Sequence, residues 1–326
     1  MTKDDSQNPI AALFPGQGSQ YAGMNRVLLE QFPWTREIYE EASDAIGVDL
    51  NKLCLDGPES DLQQTENAQP AILTTSYCWF QVLRRNLDFY PSAGGGHSLG
   101  EYSALLAAEA LPLSSAVKLV RERGRLMQQA VPVGKGKMAA ILGLSDENTL
   151  KLCKAASQPG SIVVPANFNS PGQVVVAGNA EAVDRAEKLA TSGEVPELKA
   201  RKFIPLKVSA PFHCPLMKPV AEKFEESLKG VAWKERTFPI AHNLDAVIRK
   251  DGDLVALLRD QIDHPVRWTE CQQALRALGN TCYVEMGPGK VLSGLGKRIS
   301  DDAVFFNLET ADDVKKFESK LQELRK

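Results

Sequence analysis

The stretch "DFYPSAGGGHSLGEYSALLAAEA" spans residues 88–110. Its first half is a brief extended segment running into glycines. Its second half, from about residue 98, is rich in Ala, Leu and Glu and predicts a helix. At the join lies Gly96-His97-Ser98-Leu99-Gly100, a G-x-S-x-G pattern. Small residues around Ser98 allow the chain to turn sharply from strand to helix and to expose a hydroxyl there. The same five residues also fit an ordinary glycine-rich turn in which the serine caps the helix.

Outward from this junction the chain alternates. "IAALFPG" (10–16) predicts a buried strand, "TREIYEEASDAIG" (35–47) a helix closed by glycine, "AILTTSYCWFQVLRRN" (71–86) a buried helix and "SSAVKLVRERGRLMQQAV" (114–131) another. The middle differs. "VPVGKGKMAAILGL" ends in a strand, and "SDENTLKLCKAAS" predicts a helix with Ser145 or Asp146 at its N-cap. "IVVPANF" and "QVVVAG" are strands around the turn "NSPG", "AEAVDRAEKLATSG" is an amphipathic helix, and "KFIPLKVS" is a final strand. The order β-α-β-β-α-β over about 137–208 is that of a small ferredoxin-like unit. Alternation then resumes through "PLMKPVAEKFEESLKG", "TFPIAHNL", "LVALLRDQI", "TECQQALRALGN" and "CYVEMGPG", and residues 310–326 predict a surface helix. The whole predicts an α/β fold with a mostly parallel sheet.

Composition narrows the function classes. The chain has 326 residues, 43% apolar and 24% charged, with 38 basic and 41 acidic residues for a net charge of -3. A near-balanced charge gives no general attraction to nucleic acid or to an anionic membrane. No window approaches the length of a membrane span, and "MTKDDSQNPI" lacks an apolar signal core. Six cysteines at irregular spacings form no C-x-x-C pair, which disfavours a zinc site or a disulfide framework and suits buried thiols. A cytoplasmic monomer is the expectation, with no bound metal or cofactor.

A nucleophilic serine needs a base. The chain has four histidines: His97, His213, His242 and His264. His97 adjoins Ser98 and its ring should point elsewhere in a sharp turn. His213, in "SAPFHCPLM", and His264, in "IDHPVRW", are comparable choices on residue pattern alone. "FPGQGSQ" (14–20) ends a strand in a tight turn that could bring a backbone N–H beside the nucleophile. It has no following G-K-[ST] and is not a phosphate loop. "EMGPGKVLSGLGKR" (285–298) lacks the dinucleotide-binding spacing.

Taken together, "FPGQGSQ", "QPAIL", "GHSLGEYSAL", "RGRLMQQA", "NFNSPGQVVVAG", "APFHCPLM" and "EMGPGKVLSGL" occur in that order. They closely resemble the stand-alone malonyl-CoA:acyl-carrier-protein transacylases of bacterial fatty-acid synthesis, from about residue 10 to about 300. The resemblance implies an α/β-hydrolase-like core made of residues 1–134 and 206–326, with a ferredoxin-like subdomain inserted at 135–205. It implies Ser98 as nucleophile and His213, in place of His264, as base. It implies an oxyanion hole from the backbone N–H groups of Gln17 and Leu99, and a malonyl carboxylate held by Arg123, with Gln69 lining the site. In this family a main-chain carbonyl orients the histidine; by position Gln261 would supply it. Phe212 stands where a bulky residue goes with malonyl rather than methylmalonyl in related polyketide enzymes.

The implied reaction is a ping-pong transfer from malonyl-CoA to the phosphopantetheine thiol of holo acyl carrier protein. Acyl carrier proteins are acidic, so a basic rim is expected, with Lys135, Lys137, Lys202, Lys207 and Lys218 as its candidates. Two other readings share the motifs: a serine esterase or thioesterase that releases the acyl group to water, and a silent carrier-docking module with no covalent intermediate.

Overall fold

Every residue of Ile10–Phe14 is apolar and buried, as a strand covered on both faces of a parallel sheet must be. The computed structural model describes residues 10–132, 134–206, 208 and 210–325. Its strands are β1 (Ile10–Phe14), β2 (Ala93–Gly96), β3 (Gly136–Leu142), β4 (Val163–Ser170), β5 (Gln173–Asn179), β6 (Lys202–Pro205), β7 (Ile240–Ala241), β8 (Ile248–Arg249), β9 (Cys282–Met286) and β10 (Val304–Leu308). One six-stranded sheet runs β10-β9-β1-β2-β7-β8 and is parallel except at β7–β8. Helices Thr65–Leu87, Leu99–Ala107 and Lys218–Lys229 bury their apolar residues in its main core.

β1 lies between β2 and β9, and in open α/β sheets ligands bind in crevices outside the carboxyl ends of the strands. Register pairs Phe14 with Gly96, so the turns Pro15-Gly16-Gln17 and His97-Ser98 emerge side by side.

The second sheet is antiparallel, in the order β4-β5-β3-β6. Its strands follow a period of two. Ala139 and Ile141 of β3 and Val176 of β5 face helices Asp146–Ala156 and Ala180–Ser192 in a separate apolar cluster. Met138, Val175 and Ala177 face the other way and join the main core. The small sheet thus leans on the large one and delivers Met138 to the site.

The expected elements are found in order, the structure adds others such as helix Val291–Ile299 and edge strand β10, and three of the expected elements differ in extent or burial. The helix expected from residue 71 begins at Thr65 and carries Pro70 within it. Proline removes one N–H there, yet the helix start is anchored, since Thr65 N–H donates to Gln128 Oε1 at 2.8 Å. "TFPIAHNL" keeps only Ile240–Ala241 as strand, because its second half turns away to build the site. The terminal helix, Ala311–Leu324, starts in a capping box of Thr310 and Asp313 and buries Val314, Phe317 and Leu321. Phe317 packs edge-on against Phe89 at 5.2 Å. Ser145 is the N-cap of its helix, accepting from Asn148 N–H at 3.1 Å.

Among the described residues no helix is long and apolar enough to cross a membrane, and no cluster of His, Cys, Asp and Glu could hold a metal. All six cysteines are buried and free.

Candidate active site

The turn between β2 and helix Leu99–Ala107 is as tight as its glycines allow. A Cβ on Gly96 would lie 2.0 Å from the Gly100 carbonyl, and one on Gly100 would lie 2.0 Å from Phe14 O. The turn therefore needs glycine at both places. Ser98 between them takes φ 53 and ψ -105, a backbone state that a non-glycine residue holds only when its surroundings impose it. Those surroundings are visible. Asn243 accepts from Ser98 N–H at 2.7 Å and donates to Gly96 O at 2.8 Å, while Gln261 Nε2 donates to Ser98 O at 3.1 Å. Ser98 makes no side-chain cap to its helix, so the capping alternative falls and the hydroxyl is left for other partners.

That partner is His213. Its Nε2 lies 2.7 Å from Ser98 Oγ and its Nδ1 lies 2.8 Å from the main-chain carbonyl of Gln261. A carbonyl only accepts, so Nδ1 carries the hydrogen and Nε2 presents its lone pair to the serine hydroxyl. Pro211 and Pro215 flank the histidine, whose own φ is 57. Burial, together with the charge of Arg123, pushes His213 down to about 3, so the imidazole is neutral and accepting at any ordinary pH. His264 is exposed and turns its Nδ1 to Asp260 O and Asp263, away from Ser98.

The low His213 value has a stability consequence. The unfolded chain takes a proton on this residue below the ordinary value of 6.5, whereas the folded chain refuses it. The contribution of this group to folding stability is therefore complete above about pH 6.5 and is lost as pH falls toward about 3. Thermal unfolding of the wild type should weaken more between pH 7 and pH 4 than that of His213→Gln; parallel curves would assign the acid loss to other groups.

Arg123 completes the cluster. It lies on the inward stripe of helix Leu113–Gln128 and is 1% exposed. Nη1 donates to Gln69 Oε1 at 3.0 Å, and Nη2 donates to Gln261 Oε1 at 2.9 Å and to Ser98 Oγ at 3.1 Å. The guanidinium also stands over the Tyr102 ring at 5.1 Å. Burial lowers its pKa, an effect opposed by Tyr102 and Glu101. Among the described residues Arg123 has no salt-bridge partner, so a buried cation beside the nucleophile holds neutral groups alone.

A cavity of about 330 Å³ opens onto this group, walled by Gln17, Gln63, Ser98, Arg123, Met127, Met138, Phe212 and His213. Gln17 follows β1, with its side chain donating to Thr65 Oγ1 at 3.1 Å. Leu99 is the first residue of its helix, and the next two N–H groups are taken by His97 O and Ser98 O. Gln69 sits behind Arg123 as its acceptor. His97 turns aside to Asn169 Oδ1 at 2.8 Å. Of the lysines, Lys137 pairs with Asp184, Lys218 lines a second, larger cleft of about 780 Å³ that shares His213 with the first but contains neither Ser98 nor Arg123, and Lys207 lies outside the described residues. Lys135 and Lys202 are exposed.

Sequence reasoning missed Asn243, Glu101 and His242. Glu101 is buried in the first turn of the helix after Ser98, where it accepts from His242 Nδ1, Asn243 N–H and Gln261 Nε2. A charge within the apolar run "SLGEYSALLAAEA" was the available signal, since a carboxylate buried on such a helix must be paired. For Asn243 no signal existed, because nothing local ties it to residue 98.

Comparison with known proteins agrees with this geometry. The model of the acyl transferase domain family matches residues 12–316. The malonyl CoA-acyl carrier protein transacylase of Escherichia coli is 44% identical over 294 residues, covering 90% of this chain and 93% of that protein. The crystal structure of malonyl-CoA:acyl carrier protein transacylase from Xanthomonas oryzae superposes with a TM-score of 0.91 at 43% identity, covering 98% of this chain and 99% of the other. A type II PKS acyl-carrier protein in complex with its malonyl-transacylase gives 0.91 at 41%, covering 95% and 99%. A strained serine held against a carbonyl-oriented histidine, on a chain so similar throughout, leaves one family assignment: the chain belongs to the acyl transferase domain family, among the malonyl-CoA:acyl-carrier-protein transacylases.

Proposed function

We propose that this chain moves a malonyl group from malonyl-CoA to the phosphopantetheine thiol of holo acyl carrier protein, through a malonyl ester on Ser98. The observation that carries the reading is the buried Arg123 guanidinium, 3.1 Å from Ser98 Oγ and without a carboxylate partner among the described residues. An acyl group with a free carboxylate supplies the missing anion and can be gripped by two parallel, charge-assisted hydrogen bonds. A neutral ester has no use for such a group.

In the first half-reaction the Ser98 oxygen attacks the thioester carbonyl while its proton passes to His213 Nε2. The oxyanion is received by the N–H groups of Gln17 and Leu99, the latter at a helix start where backbone donors point outward. The carbon–sulfur bond breaks, and the departing thiolate of CoA takes the proton back from His213. In the second half-reaction the carrier thiol gives its proton to His213, its sulfur attacks the serine ester, and Ser98 recovers the proton as it leaves. The exchange is between two thioesters, so no redox step arises and the reaction calls for no metal. Met127, Met138 and Phe212 give the cavity apolar walls, and in this reading the Phe212 ring would take volume that an α-methyl branch needs.

The same reading treats residues 135–205 as a unit inserted into a core of 1–134 and 206–326, supported by its own antiparallel sheet and apolar cluster. It takes the enzyme to be a cytoplasmic member of fatty-acid synthesis. The test is product analysis with malonyl-CoA and holo acyl carrier protein. Malonyl carrier should accumulate; free malonate as the dominant product would make the protein a hydrolase.

A further inference from the structure

Ser98-Leu99-Gly100-Glu101 has the spacing of a capping box, in which the serine side chain and the glutamate side chain satisfy each other's backbone N–H groups. Neither bond is made. The serine hydroxyl faces His213, Ser98 N–H goes to Asn243, and Glu101 N–H goes to the Ser98 carbonyl. Glu101 is thereby a carboxylate that has been freed from capping and is 1% exposed. His242 Nδ1 donates to its Oε1 at 2.7 Å; Asn243 N–H and Gln261 Nε2 donate to its Oε2 at 3.0 and 2.7 Å.

The contact with Gln261 has a directional consequence. An amide has one donating end and one accepting end, whereas a carboxylate only accepts. Glu101, by the shorter bond, and the Ser98 carbonyl at 3.1 Å are both acceptors and together turn Gln261 Nε2 toward themselves, which sends Gln261 Oε1 to Arg123 Nη2 at 2.9 Å. That same Nη2 is the atom 3.1 Å from Ser98 Oγ. A flipped amide would set an NH₂ against the guanidinium, donor against donor. We propose that Glu101 is a positioning residue for acyl-group selection: by fixing the amide of Gln261 it aims Arg123 at the carboxylate of the group carried on Ser98. Glu101 touches neither Ser98 Oγ nor Arg123 by hydrogen bond; its charge reaches Arg123 through space, while its directional effect is carried by Gln261. The inference rests on the proposed carboxylate-binding role of Arg123.

The test is the ratio of malonyl to acetyl transfer, measured as kcat/KM with the two CoA thioesters. Wild type and Arg123→Ala come first: a wild type without preference for malonyl ends the functional reading itself, separately from this one. Given that preference, Glu101→Leu should lower the ratio about tenfold, the loss of one well-placed charge-assisted hydrogen bond. A structural role alone would lower both thioesters together and leave the ratio unmoved. Glu101→Gln should restore it. The new amide can turn its NH₂ to His242, whose Nδ1 becomes the acceptor after a tautomer change, because the other ring nitrogen has no hydrogen-bond partner among the described residues that forbids the change. The remaining oxygen then still accepts from Gln261. An equal fall in Glu101→Gln and Glu101→Leu overturns the orienting role. If Glu101→Leu does not fold, Gln261→Leu carries the test, since it keeps the main-chain carbonyl on His213 and removes the side-chain contacts to Glu101, Arg123 and the Ser98 carbonyl. A fall in the ratio supports the inference, and an unchanged ratio refutes it.

Discussion

Ser98→Ala should leave a folded protein that no longer gains the mass of a malonyl group, and its transfer to holo acyl carrier protein should drop by at least roughly 10⁴-fold, the scale on which loss of a nucleophile is felt when its partners remain. The fold should survive because the strained turn is held through main-chain atoms: Asn243 on the Ser98 N–H and Gln261 on the Ser98 carbonyl both persist without the hydroxyl. What disappears is the atom between His213 Nε2 and Arg123 Nη2, and with it the ester on which the two half-reactions depend. Intact-mass measurement after addition of malonyl-CoA reads the intermediate, and carrier acylation reads the turnover. A mass gain retained in Ser98→Ala would place the acyl group on another residue and remove the ping-pong scheme with it. A wild type that gains no mass would instead fit a carrier-docking module without chemistry.

How far the sequence discloses this site follows from the range of the forces involved. Strand β1 was legible because a strand buried on both faces is apolar without interruption, and the serine turn because two close approaches of the backbone need glycine. The choice between His213 and His264 was not, since residue pattern says nothing about which loop crosses the crevice; only the resemblance selected His213. Arg123 is intermediate. Ala116, Val120 and Met127 put it on the buried stripe of its helix, whereas Arg125 is solvated and paired with Glu122, so periodicity held a signal that composition did not. The network of Glu101, His242, Asn243 and Gln261 lay beyond local reading altogether, for its members are joined across some 140 to 160 positions and meet where β7 ends after two residues.

Arg123→Ala should cost malonyl transfer roughly 10²–10³-fold, the size expected when a two-pronged, charge-assisted grip on a carboxylate is removed from a desolvated site. Acetyl transfer should fall less, because an acetyl group has no carboxylate to lose, so the malonyl-to-acetyl ratio should collapse. Equal losses on the two thioesters would remove the carboxylate-binding role. The substitution also reaches the base. Arg123's charge is one of the two main causes that hold His213 down to about 3; without it the imidazolium is less disfavoured and the pKa rises toward the ordinary 6.5. A base must be neutral to accept the serine proton, so the activity remaining in Arg123→Ala should decline on the acid side at a higher pH than in wild type. Arg123→Lys separates the two effects: it keeps the positive charge that depresses His213, and so the acid limb of the wild type, but lacks the planar fork that binds a carboxylate through two parallel bonds. Malonyl preference lost in both variants, with the acid limb displaced only in the alanine, is the pattern that one guanidinium serving as carboxylate clamp and as electrostatic guard of the base must produce.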